Sequence, residues 1–338
     1  MCIRDSNTAY GTFALCGNTT GSSNTALGYN AIGGGTMTGT KNVGVGMYAL
    51  YGNTTGERNT ASGYKAMYAN TTGSRNTASG VYALLSNTTG AYNHAFGRQA
   101  LYANTTGNKN VAIGTDNLKG NTTGCNNVSV GVDTAFSNTT GCFNTAIGDV
   151  ALNKNTTASR NTAVGGCTLF TNTTGADNTG VGFKALAANT CGTLNTASGA
   201  YSIRYNTTGA ENTASGYTAL YTNTTGNYNV AVGSKALLVN TTASFNTGSG
   251  YAALKANTTG ANNSSFGSQT LKANTTGACN TALGANALRS NTTANFNTAV
   301  GACTLYANTT GASNTAVGYD SLKTNTCGHY NTGVGRDA

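Results

Sequence analysis

The chain has 338 residues, with 47 Gly, no Pro, no Trp and only 8% charged residues. Its formal net charge of +9 comes from 18 Lys and Arg that are scattered singly, so nothing in it reads as a nucleic-acid-binding run. Such a sparse charge keeps a surface soluble, or draws it to acidic polysaccharide or a cell surface. Length alone fits two or three globular domains, but 38% evenly spaced hydrophobic residues with so little charge exclude both that reading and a disordered polymer. No stretch is long and apolar enough to insert into a membrane.

Residues 1–6, Met1-Cys2-Ile3-Arg4-Asp5-Ser6, fit no repeat and are expected to be a non-native leader. From Asn7 onward a unit recurs every 17 residues, with one step of 18 between Asn24 and Asn42. We number its positions from the first residue of the consensus N-T-T-G-x-x-N-T-A-φ-G-x-x-A-L-x-x, so that Asn53 is position 1 and Asn59 position 7. The symbol φ at position 10 is a usually apolar residue. Two positions are constant in all 20 copies: Asn at position 7, from Asn7 to Asn331, and Gly at position 11, from Gly11 to Gly335. The last copy stops inside its coil, so the chain is expected to be a piece of a longer array, residues 7–338 forming one repeat domain.

Seventeen residues are too few for a helical hairpin repeat, and Gly, Asn and Thr are poor helix formers. The sequence therefore predicts an all-β fold, a parallel β-solenoid (β-roll or β-helix) of about 20 coils with 17 residues per coil. Each coil is expected to hold two short strands and two turns, pairing in register with its neighbours about 4.8 Å away. The apolar residues at position 10 (Leu27, Val45, Ile113, Val164, Val232, Leu283) and the Leu at position 15 (Leu50, Leu84, Leu101, Leu152, Leu220, Leu305) are both assigned to the interior. Ser at position 10, as in Ser62, Ser79, Ser198, Ser215 and Ser249, does not fit that assignment. Positions 9 and 14 are small, which permits close approach of another backbone. The constant Gly is expected to take a positive backbone φ at a corner. Asn-Thr-Thr-Gly has turn chemistry, and stacked Asn side chains can form amide ladders.

At Asn110-Val111-Ala112-Ile113-Gly114 and Asn161-Thr162-Ala163-Val164-Gly165 the chain resembles the core motif of trimeric autotransporter adhesin heads. Similar repeats occur in phage tail fibres. The resemblance covers nearly the whole chain and implies a left-handed parallel β-roll, trimerisation and binding to host surfaces. The coil is longer than the usual adhesin-head repeat, by the inserted Asn-Thr-Thr-Gly turn.

Asn-Thr-Thr fits the N-glycosylation pattern at Asn18, Asn53, Asn70, Asn87, Asn104, Asn121, Asn138, Asn155, Asn172, Asn206, Asn223, Asn240, Asn257, Asn274, Asn291 and Asn308. Asn189 and Asn325 carry the rarer Asn-Thr-Cys form. These sites are expected on a surface turn, either glycosylated or serving as a plain turn ladder that copying has multiplied. The adjacent Thr pairs, such as Thr54-Thr55, should point to opposite sides, which argues against a flat ice-binding face.

Cys125 and Cys142 share one coil position in adjacent coils, as a disulfide or as two free thiols. Cys167/Cys191 and Cys303/Cys327 lie on coils two apart, so direct bonding is not expected. No C-x-x-C pair occurs, and Asp116, Asp133, Asp149 and Asp177 are sporadic, so no zinc or calcium site and no other cofactor is expected. The only histidines, His94 and His329, belong to no catalytic constellation. Asn155-Thr156-Thr157-Ala158 recurs as Asn291-Thr292-Thr293-Ala294, eight coils later, and so do Cys167 and Cys191 as Cys303 and Cys327. The array thus grows by block copying. The expectation is a non-enzymatic structural or adhesive filament of the cell exterior or cell surface. It would self-associate end to end or laterally, or as a trimer, and contact glycans or cell surfaces, with no nucleic acid. The alternatives are an ice-binding solenoid and a receptor-binding stalk of the phage or autotransporter kind.

Overall fold

A computed structural model describes residues 6–338, so five of the six proposed leader residues lie outside the described part. The chain divides into two units, one ending at Thr174 and one spanning Gly175–Ala338. Both are parallel β-solenoids with one coil per 17-residue repeat, and no helix occurs among the described residues.

The first unit holds ten three-residue strands, β1 (Thr8–Tyr10) to β10 (Thr162–Val164). Its ladder is parallel and in register: Thr60, Ala61 and Ser62 of β4 pair with Thr77, Ala78 and Ser79 of β5. The second unit repeats this from β11 (Thr179–Val181) to β20 (Thr332–Val334). There Thr281, Ala282 and Leu283 of β17 pair with Thr298, Ala299 and Val300 of β18.

Each coil has one strand rather than the expected two. The Ala-Leu segment is a chain of turns, because positions 13 and 15 take left-handed conformations, as at Lys65 (φ 54) and Met67 (φ 51). Such a conformation costs a non-Gly residue roughly 1–2 kcal/mol. Hydrogen bonds to both neighbouring coils hold it in place: Lys65 N–H donates to the Met47 carbonyl at 3.0 Å, and Met67 N–H to that of Ala83 at 3.0 Å. The backbone groups that a second strand would have paired are satisfied along the axis all the same.

The interior is narrow. The Leu column is buried as expected, with Leu50, Leu84, Leu101, Leu152, Leu220 and Leu305 all at 0% exposure. Burial of each contributes roughly 1.5–3 kcal/mol. Position 10 is corrected. Leu27, Ile113, Val232 and Leu283 are 45%, 42%, 41% and 50% exposed, and Val45 and Val164 are half-buried. The inward residue of the strand is the small one at position 9, such as Ala61 or Ala112 at 0%. Alternation along a strand allows only one of the two neighbours inside. The Leu at position 15 decides which: a Cβ added to Gly248 would lie 3.3 Å from Leu237 Cγ of the coil before, leaving room for Ala but not for Val. The serines at position 10 follow at once, since they face solvent.

The 18-residue step leaves the register intact. Thr25, Ala26 and Leu27 of β2 pair with Val43, Gly44 and Val45 of β3, although one extra residue lies between. The surplus is taken up around Gly35, where an added Cβ would meet nothing within 4 Å.

Candidate functional site

Three columns of side chains bear on function: the asparagines, the cysteine pair and the outer face of the strands. The asparagines form two buried amide ladders. At position 7, Asn59 Oδ1 accepts the Asn76 N–H at 2.9 Å, while its Nδ2 donates to the Gly73 carbonyl at 2.8 Å. At position 1, Asn70 Nδ2 donates both to Asn53 Oδ1 (2.8 Å) and to the Gly73 carbonyl of its own turn (2.9 Å). The second unit has the same pattern, with Asn223 Nδ2 donating to Asn206 Oδ1 at 2.9 Å and to the Gly226 carbonyl at 2.9 Å.

This placement corrects the expected exposure of the sequons. Asn53, Asn70, Asn87, Asn104, Asn121, Asn138, Asn155 and Asn172 are buried in the first unit. In the second, Asn206, Asn223, Asn240, Asn257, Asn274, Asn291 and Asn308 are buried, together with Asn189. Only Asn18 and Asn325 are half-buried, and their amides also donate to a turn carbonyl, of Gly21 and Gly328. A glycan needs the same Nδ2 that makes these bonds, and a coil carrying one cannot close on its neighbour. The Asn-Thr-Thr turn is therefore built as an internal ladder. Its first Thr is half-buried, Thr54 Oγ1 donating to the Thr71 carbonyl at 3.1 Å, and only its second, Thr55, is exposed.

Cys125 and Cys142 do come together. Their Sγ atoms lie 2.8 Å apart as free thiols, and Cys125 N–H donates to Cys142 Sγ at 3.0 Å. This second contact belongs to a wider pattern at position 5. Ser74 Oγ accepts from Glu57 N–H, Asn108 Oδ1 from Ala91 N–H and His329 Nδ1 from Ala312 N–H in the same way. The exposed corner amide is capped by the next coil at several places, and Cys142 fills that role here. Burial raises the Cys142 thiol above its ordinary pKa, and its hydrogen bond with Cys125 adds to the rise. Treatment with a small-molecule disulfide is expected to join the pair by exchange, both thiol hydrogens and two electrons passing to the reagent as two reduced thiols. The reaction should speed up as pH rises toward the thiol range. Peptide mapping that finds the pair unlinked at pH 9, with the other thiols modified, would remove the assignment. Cys167, Cys191, Cys303 and Cys327 are also free thiols.

The charged residues gather no metal site: no group of three His, Cys, Asp or Glu occurs among the described residues. Asp116 is held by Arg98 at 2.7 Å and Lys119 at 3.1 Å, which commits its carboxylate to two cations. His94 replaces the Thr at position 8 and stands exposed on the strand face.

That face is the feature sequence reasoning missed. With position 9 inward, positions 8 and 10 of every strand point outward, and no Lys, Arg, Asp or Glu occupies either position in any copy. The first unit presents Leu27, Phe96, Ile113 and Ile147 there, and the second Val181, Val232, Phe266, Leu283 and Val317, all exposed. The signal was available: position 9 is Ala, Gly or Ser in every copy, as only the wall of a narrow interior requires.

No family model matches this chain, nor does any curated protein or solved structure. No helix among the described residues is long and apolar enough to cross a membrane.

Proposed function

We propose that this is a structural fibre protein of the cell exterior, whose solenoid units pack laterally against copies of themselves through the outer strand face. The observation that carries the reading is the charge-free, partly apolar strip at positions 8 and 10. Soluble surfaces of this composition mix in charge, whereas association surfaces lose it at their centre. Repetition strengthens the argument, because one weak contact per coil is multiplied along a rigid ladder. A surface adhesin or tail-fibre stalk is the same architecture put to receptor binding, and the motif resemblance supports it as the setting of the fibre.

The test is a pair of charges placed on the face. Ile113→Lys with Ile147→Lys, in β7 (Val111–Ile113) and β9 (Thr145–Ile147), leaves the interior untouched. It is expected to shift the protein from large assemblies to single chains in light scattering. An unchanged mass distribution, or a wild-type protein that stays monomeric at high concentration, would sink the proposal.

One observation favours ice binding as a second reading. Position 8 is Thr in fourteen of 20 copies, and this Thr column, unlike the Thr-Thr turn, lies on the outer strand face. The face is interrupted by His94 and Phe96 in the first unit and by Phe266 in the second, which makes it the weaker reading. Thermal hysteresis of the wild type that is lost in Thr196→Lys with Thr213→Lys would reverse the order.

A further inference from the structure

We infer that the second unit carries a binding groove for a linear acidic polysaccharide, formed by Lys255, Lys272 and Arg289. These three cations occupy position 16 of successive coils, so the ladder sets them about 4.8 Å apart along the axis. They line a groove of about 420 Å³ whose floor is the neighbouring column, Val239, Ala256, Ala273 and Ser290. The floor is small and uncharged, so the groove stays open and its walls alone carry charge. All three cations are half-buried.

Nothing on this stretch of chain neutralises them. Between Glu211 and Asp320 the sequence contains no Asp or Glu, while it holds Lys235, Lys255, Lys272 and Arg289. The contacts that hold the groove residues are neutral: Lys272 Nζ donates to Gln269 Oε1 at 3.2 Å, and the Arg289 guanidinium donates to the Tyr306 hydroxyl. Stacked like charges repel, and a regular file of anions laid along the groove relieves that repulsion at every coil. The first unit offers a contrast. Arg58 and Arg75 also stand one coil apart, but Glu57 shares their hollow.

The shape selects the kind of polyanion. Three cations in a single axial file match an extended polyanion better than a flat lipid surface. Single-stranded nucleic acid is held by aromatic platforms on which bases stack, and this floor is Val, Ala and Ser. A polymer of uronic acid needs no such platform: its carboxylates meet the cations, and its hydroxyls meet Ser290 and the backbone. The inference stands apart from the fibre reading, since the groove and the strand face are different surfaces of the coil.

The test uses the full chain and polygalacturonate as the probe, with binding followed by calorimetry at several salt concentrations. The wild type is expected to bind with an affinity that falls as salt rises. The triple variant Lys255→Gln, Lys272→Gln, Arg289→Gln should bind at least about tenfold more weakly, with a salt slope reduced by about three ions. Lys235→Gln, outside the groove, should bind as the wild type does. Should the triple variant fail to fold by circular dichroism, Lys272→Glu alone should also bind at least about tenfold more weakly, with a salt slope reduced by about two ions. Undiminished binding by a folded variant would overturn the inference. So would single-stranded DNA or phosphatidylserine vesicles binding as tightly as the polymer, or no binding by the wild type. None of these results bears on the assembly test with Ile113 and Ile147.

Discussion

Replacing Asn59 by Ala is expected to destabilise the first unit by about 2–4 kcal/mol, far beyond what its small volume would imply. The side chain makes two buried hydrogen bonds to the next coil, accepting from Asn76 N–H and donating to the Gly73 carbonyl. Removing it strands the Asn76 N–H, and a buried group left unsatisfied costs about 1–3 kcal/mol, while the Gly73 carbonyl keeps the Asn70 Nδ2 and loses only one of its two bonds, worth about 1 kcal/mol. Its own N–H, donated to Asn42 Oδ1 at 3.0 Å, is unaffected. Asn59→Asp separates the two roles. A carboxylate keeps the acceptor but loses the donor and faces a carbonyl oxygen, so its folded-state pKa is raised. The variant should thus be weakest at neutral pH and recover as pH falls through the carboxylate range, where the protonated acid donates again. Denaturant unfolding and amide exchange at Thr60 and Thr77 check both results. An Ala variant within about 0.5 kcal/mol of the wild type would show that the ladder is ornamental.

Gly63→Ala is expected to be at least as damaging, on the order of 4 kcal/mol, by a different mechanism. Gly63 has φ +134, a region that side-chain-bearing residues avoid. An added Cβ would also lie 2.5 Å from the carbonyl oxygen of Gly80 in the next coil. Since the Cβ is fixed rigidly to its Cα and the oxygen belongs to backbone, relief requires the coils to part, and the bond from Gly63 N–H to the Val45 carbonyl, 2.8 Å long, is strained with them. Gly56→Ala is the internal control. An added Cβ there would also lie close to a backbone oxygen, 2.4 Å from that of Gly73, but its φ is not positive and position 4 already holds Ala158, Ala243 and Ala294 in other copies, so the control isolates the backbone conformation. Thermal melts of the two variants should therefore differ clearly, and equal melting temperatures would contradict the corner assignment.

These two residues also mark what the sequence disclosed. Constancy within the repeat points to the Asn at position 7 and the Gly at position 11 of each coil, and both are held by the neighbouring coil. The period gave the parallel register, because identical residues every 17 positions can satisfy one another only when stacked. The strand was turned inside out. The apolar character of Leu27 and Ile113 points them inward in the sequence, but the constant smallness of Ala26 and Ala112 prevails, in accord with Ser62 and Ser79 in the same column as Leu27. In a coil this thin, steric room is a better guide to the interior than hydropathy. The missing second strand had no marker at all. Left-handed Met67 or Leu84 is atypical for such side chains, and only the bonds to adjacent coils make it tenable. The sequons misled for a related reason: Asn-Thr-Thr-Gly is good turn chemistry, but the turn folds its amide inward, onto the carbonyl of its own Gly.

The surplus residue near Gly35 has a wider meaning. Strands β2 (Thr25–Leu27) and β3 (Val43–Val45) meet in step on either side of it, so the ladder counts contacts and ignores contour length at that corner. A corner that absorbs one extra link without disturbing the stack is a splice point. Foreign peptide grafted there would be carried outward on a stiff spine, and natural copies lengthened at the same place would diversify the outside while the spine stayed constant.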